Sequence, residues 1–208
     1  MKFITGCLAA TITLTACSSN TKRILVLIKG SGEINTDTKT ITLKDGAGTE
    51  EKTADFNQSG TVSLQLKKDD GSTTTLQLPD KGLYVVNAKN DTVIGSYVQY
   101  SAPKTAYDTI RQETIKHGID SLSLLIEGKN VSEANRNFYI LPYQTTRITA
   151  NIDAFIVAPY HQMTSVEKVG DKDPEVYRFY SIKEIRQTIE KLKTLTAPVK
   201  ADASKEKK

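Results

Sequence analysis

The 208-residue chain is short of the residues that most often carry chemistry. It has two cysteines, Cys7 and Cys17, and none after them. No disulfide frame and no thiolate metal site can therefore hold the rest together, which must rely on its own core. It has no tryptophan and two histidines, His117 and His161. His117 falls late in a helical stretch just before Gly118, where a cation suits the helix dipole, and His161 follows Pro159 and Tyr160 in a loop. Both read as surface or capping residues. No apolar run reaches the ~20 residues that cross a bilayer as a helix. There is no nucleophile elbow, and Gly30-Ser31-Gly32 lacks the Lys-Ser/Thr of a phosphate loop. Ser101-Ala102-Pro103-Lys104 spells S-x-x-K, but the Ser-Asp-Asn and Lys-Thr-Gly elements that accompany a serine–lysine pair are missing.

What is present begins at the N-terminus. Lys2 supplies a positive start, residues 3–14 form a short apolar stretch diluted by threonine, and Leu14-Thr15-Ala16-Cys17 follows. This order resembles the signal and lipobox of bacterial lipoproteins. The resemblance covers about the first twenty residues and no more. It implies that residues 1–16 are a signal peptide cut before Cys17, and that the Cys17 thiol carries diacylglycerol. Each buried methylene of such a chain is worth about 0.8 kcal/mol, so two or three chains make an essentially permanent anchor. Ser18, where many inner-membrane lipoproteins carry Asp, points to the outer membrane. Residues 17–22 form a tether, and five flexible residues reach ~12 Å on average, so the body is expected close to the membrane.

Charge argues against nucleic acid as a partner. The formal net charge is +4. Lys2 lies in the signal, and the tail from Val199 to Lys208 sets four lysines against Asp202 and Glu206, so the body between them is nearly neutral. Residues 197–208 are read as a disordered basic tail.

The hydropathy pattern predicts an α+β fold. Residues 24–28, Ile-Leu-Val-Leu-Ile, read as a strand buried on both faces. Residues 33–43 read as a half-exposed strand or hairpin, Lys44-Asp45-Gly46 as a turn and residues 50–60 as a polar loop. Val62, Leu64 and Leu66, then Asp70-Gly71, then Leu76 and Leu78 spell a hairpin. A second hairpin is expected from residues 83–88, a turn at 89–91, and 92–100. After Pro103 the period changes: Ile115, Ile119, Leu122 and Ile126 share one helical face, with Gly128 as the stop. Gly118 is expected to kink or split that helix, Asp120 capping the second piece. Residues 138–141, 147–159 and 176–180 read as strands. Ser181-Ile182-Lys183-Glu184 is a capping box, opening a helix striped by Ile182, Ile185, Ile189 and Leu192. The architecture expected is an antiparallel β-sandwich-like half over residues 23–101 and, over residues 104–196, strands with two helices packed on a sheet. The two halves make either one unit or two.

Three sets of residues are candidate sites beyond Cys17. Asp171, Asp173 and Glu175 alternate as oxygen ligands for calcium would, but Pro174 and a missing glycine break the known loop pattern. Thr92, Thr109 and Ser121 each follow Asp and precede an apolar residue, resembling acceptor triplets for O-glycans in some Gram-negative lineages. Among nine tyrosines, Tyr97, Tyr100, Tyr139, Tyr143, Tyr160, Tyr177 and Tyr180 fall near strand ends, where they could line a sugar or peptide groove. No catalytic set, metal or cofactor is called for. The expected function is a non-enzymatic binding or structural module for a protein, peptide or glycan, held at the cell envelope by lipid on Cys17. The alternative is a small envelope hydrolase built around His161 with Asp153 and a serine.

Overall fold

An uninterrupted apolar run has no side to give to water, and residues 24–28 accordingly lie at the centre of the computed structural model, which describes residues 20–98, 112–162 and 173–196. The elements are β1 (Thr21–Asn35), β2 (Thr40–Asn57), β3 (Val62–Lys67), β4 (Thr73–Leu78), β5 (Gly82–Ala88), β6 (Val93–Val98), α1 (Gln112–Ile126), β7 (Asn137–Ile140), β8 (Gln144–Thr149), β9 (Phe155–Val157), β10 (Val176–Ser181) and α2 (Ile182–Thr196). On β1, Ile24, Val26 and Ile28 enter one core, while Leu25 and Leu27 enter another on the opposite face.

Six strands form one sheet in the order β4-β3-β2-β1-β5-β8. Its outer strands β4 and β8 approach each other, so the sheet curls into a nearly closed barrel filled by residues such as Ile24, Leu64, Leu78 and Val86. The fold is α+β, as the pattern predicts, but this sheet is neither a sandwich nor antiparallel throughout. β1 pairs in parallel with β5, from Lys22↔Gly82 to Ile28↔Ala88, and β2 in parallel with β3. Alternation reports which residues face inward. It is silent on which distant strands pair.

The β1–β2 ribbon corrects two expectations. Lys44-Asp45-Gly46 is not a turn, and residues 50–57 are not a loop: β2 runs through both. Pairing slips between Lys29, opposite Thr49, and Ser31, opposite Lys44, leaving residues 45–48 as a bulge. Gly30 sits inside it at φ 87, where a Cβ would lie 2.2 Å from the Lys44 carbonyl oxygen, so only glycine fits. Residues 50–57 are polar because one face meets solvent, and their strand state comes from pairing with apolar β1.

The β3–β4 hairpin forms as predicted, with Val62 opposite Leu78, Leu64 opposite Leu76 and Gly71 at φ 81. The second expected hairpin does not form. β5 stays in the barrel and β6 enters a separate four-stranded sheet, β7-β6-β10-β9. Asn87 makes the switch. Fully buried, its Nδ2 donates to the carbonyls of Asp91 (2.8 Å), Ile140 (3.0 Å) and Leu141 (3.2 Å), and its Oδ1 accepts from the Lys89 amide. These bonds satisfy a corner that would otherwise bury unpaired backbone groups.

One face of the outer sheet packs Val93, Phe138, Tyr177 and Phe179 against Leu27, Val85 and Ile148 of the barrel. The other face carries both helices through Ile94, Leu125, Ile185 and Ile189. α1 passes through Gly118 without a break, so Asp120 is an interior residue and not a cap. Packing of Ile119, Leu122 and Ile126 holds the helix across the glycine. It ends as expected: Gly128 is at φ 68, and the Lys129 amide donates 2.8 Å to the Leu124 carbonyl. The capping box of α2 is complete. Ser181 N donates to Glu184 Oε2 (2.8 Å), and Glu184 N donates to Ser181 Oγ (3.1 Å). Among the described residues no helix is long and apolar enough to cross a membrane.

Candidate functional site

On β6 the pleat sends alternate residues to opposite faces. Val93 points into the core between the sheets, while Ile94 joins the cluster beneath the helices. Gly95 between Ile94 and Ser96 has no side chain because the ring of Phe179, its cross-strand partner, occupies that space; a Cβ would lie 2.3 Å from Phe179 Cε1. On the opposite face, Leu125 of α1 and Ile185 and Ile189 of α2 pack with Ile94, and a gap remains beside them. The gap is a groove of about 510 Å³.

Its floor is apolar, formed by Ile94, Leu122, Leu125 and Ile185. Its rim carries hydroxyls and amides from Ser96, Ser121, Asn130 and Asn137, with Tyr97 and Tyr180 beside them. Ser96 Oγ donates to Asn137 Oδ1 (2.7 Å), and Asn137 Nδ2 donates to the Asn130 carbonyl (3.1 Å), so the rim is held in place. Burial pushes the Tyr180 hydroxyl above its ordinary value. The lining contains no charged side chain among the described residues. Such a surface offers area and hydrogen bonds without charge, which suits a neutral ligand such as a glycan or a peptide backbone.

The Tyr97 side chain points the other way from Ser96, with Val93 toward the core between the sheets. The Arg136 guanidinium lies 3.6 Å from the centre of its ring, and Tyr177 meets it edge-on at 5.7 Å. Arg136 Nη2 also donates to Tyr177 Oη (2.9 Å) and to Glu175 Oε1 (2.5 Å). Tyr177 Oη donates to the same carboxylate oxygen (2.6 Å), and Asn151 Nδ2 donates to Glu175 Oε2 (3.0 Å). Burial works to raise the Glu175 pKa, but hydrogen bonds from Tyr177, Asn151, Thr149 and Arg136 outweigh it and hold the carboxyl below its ordinary value. Burial and the neighbouring carboxylate push the Tyr177 hydroxyl up.

The sequence candidates scatter around this site. Cys17, Thr109 and Asp171 lie outside the described residues, as do residues 101–104 of the S-x-x-K stretch, Tyr100 and the basic tail. Glu175 belongs to the Arg136 network, and Asp173 is exposed. Among the described residues no three His, Cys, Asp or Glu side chains gather as a metal site would need. Thr92 is half-buried in the turn after β5, and Ser121 is exposed on α1 at the groove rim. His117 is exposed on α1. His161 has a side chain 59% exposed, with Nδ1 3.3 Å from Glu51 Oε1. Asp153 instead meets Arg23 (3.3 Å), beyond the other end of β9. The tyrosines do not make one face: Tyr97 and Tyr180 line the groove, Tyr177 is buried beside it, and Tyr143 takes Lys68 over its ring at the barrel mouth (4.6 Å). Sequence reading missed Ser96, Asn130 and Asn137. Ser96 had a signal, a hydroxyl on a strand otherwise apolar on that face; the two asparagines, in a turn and at a strand start, had none.

No protein-family model, curated protein or solved structure matches this chain.

Proposed function

We propose that this chain is an envelope lipoprotein, anchored to the outer membrane by lipid on Cys17, whose body binds a neutral glycan or peptide in the groove between α1 and the outer sheet. The observation that carries the reading is the distance from lipobox to fold. β1 begins at Thr21, four positions after Cys17, and Thr21 and Lys22 are already buried. A body that starts this soon after Cys17 lies within a few residues of any lipid that Cys17 carries. The groove supports binding over catalysis, because its lining offers hydroxyls and amides without a charged acid or base. The hydrolase alternative needs His161, Asp153 and a serine together, and the first two take different partners on either side of β9.

Two measurements test the proposal. Intact mass of protein purified from the envelope should show loss of residues 1–16 and addition of acyl chains, and the same spectrum reads any O-glycan at Thr92, Thr109 or Ser121. A Cys17→Ala chain should be soluble or unprocessed; if it still sediments with membranes after a salt wash, the anchor is elsewhere. For the groove, a photoreactive side chain at Ser121 should capture a glycan or peptide in intact envelopes, and Ser96→Phe, which fills the groove, should abolish that capture.

A further inference from the structure

The core between the barrel and the outer sheet does not close at every end. Where β1 begins, it opens into a second groove of about 420 Å³ lined by Leu25, Leu83, Ile152, Ala154, Phe155 and Ile156. Leu25, Ala154 and Ile156 are also packed against the inter-sheet core, so the apolar surface is continuous from interior to exterior. Phe155 stands at its lip, 46% exposed, on the edge strand β9. Arg23 crosses the mouth. Its Nη1 donates to the Ile152 carbonyl (3.2 Å) and meets Asp153, while Nε and Nη2 pair with Asp55 at 2.8 Å each. An exposed aromatic beside an aliphatic groove is unfavourable in water and ordinary at a lipid interface.

Where this groove lies relative to Cys17 names what covers it. Arg23 is two residues from the start of β1, and Thr21 is four positions after Cys17. Four residues span at most ~14 Å even when fully extended. Resting on the lipoprotein reading above, we infer that this end of the fold is its membrane-facing surface, with Phe155 and the groove seated in the interfacial layer of the bilayer that holds the anchor. The body then does not hang freely. It is oriented, with the β1 start against lipid and the barrel mouth at Lys29, Lys68 and Tyr143, beyond the far end of the buried β1 run, turned outward.

Site-specific photocrosslinking of the full lipidated chain in intact envelopes tests this. A photoreactive side chain at Phe155 should yield lipid adducts, whereas one at Leu141, which is 53% exposed where Asn87 turns the chain between sheets, should yield none. Hydrogen exchange on the unsubstituted chain gives a second reading that needs no variant at the surface itself. Amides of residues 152–156 should exchange at least several-fold more slowly on vesicles than in the soluble Cys17→Ala chain, and those of residues 141–144 equally in both. Intact mass separates the two ways of failing. Cys17 without acyl chains overturns this inference together with the lipoprotein reading. An acylated Cys17 with protein adducts or none at Phe155, or with unchanged exchange at 152–156, overturns the orientation alone.

Discussion

Replacing Gly95 with alanine should be disproportionately costly for a single methyl group, and Phe179 should be the reason. The backbone of Gly95 does not lie in the left-handed region, so the substitution brings no strain of its own. The new Cβ would, however, fall 2.3, 2.5 and 2.8 Å from Cε1, Cζ and Cδ1 of Phe179. Carbon atoms prefer ~3.5–4.0 Å, so the ring must retreat by about 1 Å or more. It has nowhere to go: Phe179 is 0% exposed and stacks on Phe138 at 6.5 Å in the core between the sheets. Overpacking of this kind costs about 1–3 kcal/mol, and the rigid obstacle puts Gly95→Ala near the top of that range. Phe179→Leu alone removes ring volume and should cost about 1–2 kcal/mol. In the double variant the smaller side chain makes room for the methyl, so its cost should fall short of the sum of the two single costs by about 1–2 kcal/mol. Urea unfolding of the soluble Cys17→Ala chain measures each corner of the cycle, with an unchanged slope showing that the native state alone is affected. Additive costs, or a Gly95→Ala chain within about 0.5 kcal/mol of the parent, would refute the claim that Phe179 occupies the glycine's space. Because Gly95 lies between Ile94 and Ser96 of the candidate groove, the proposed function expects Gly95→Ala also to weaken capture at Ser121.

Glu175→Gln should remove stability that depends on pH. The folded carboxyl titrates below its ordinary value of 4.5, so its contribution is complete above that value and is lost as pH falls through it toward the folded value. Stability of the parent should therefore drop on acidification below about pH 5 more steeply than that of Glu175→Gln, which should cost about 1–2 kcal/mol at neutral pH, discounted because the Arg136 side chain is 38% exposed; parallel pH profiles would contradict the network. Ser181→Ala should cost about 1 kcal/mol by removing the cap of α2, read as a melting temperature lower by about 2–4 °C. Tyr160 Oη, 2.8 Å from Ser181 Oγ, loses its partner as well, so an unchanged melting temperature would show that neither bond matters.

Local order explains which parts were legible beforehand. The β3–β4 hairpin depends on alternation and an Asp-Gly turn, all within seventeen residues, and it forms in the expected register. The capping box of α2 and the stop at Gly128 need only a few neighbours, and both are present. Residues 50–57 are not legible as a strand because polar strands and polar loops share a composition, and only β1 across the ladder separates them. The supposed hairpin of β5 and β6 has the right spacing, but Asn87 spends its side chain on carbonyls more than fifty positions away and turns the chain into another sheet. The candidate groove was the least legible. Ser96, Ser121, Asn130 and Asn137 carry no shared motif, and strand pairing and helix packing alone bring them to one rim.

By itself, the order of residues determined the class of fold, the β3–β4 turn, the cap of α2, the stop at Gly128 and the both-faces-buried β1, because each follows from contacts a few positions long or from a run too apolar to meet water. Tertiary structure alone decided that the first sheet curls into a barrel, that β8 closes it, and that two grooves open at different places on the outer sheet. Those outcomes rest on parallel pairing and on packing between residues far apart in the chain, whose energies depend on which surfaces fit together and leave no periodic trace in either partner.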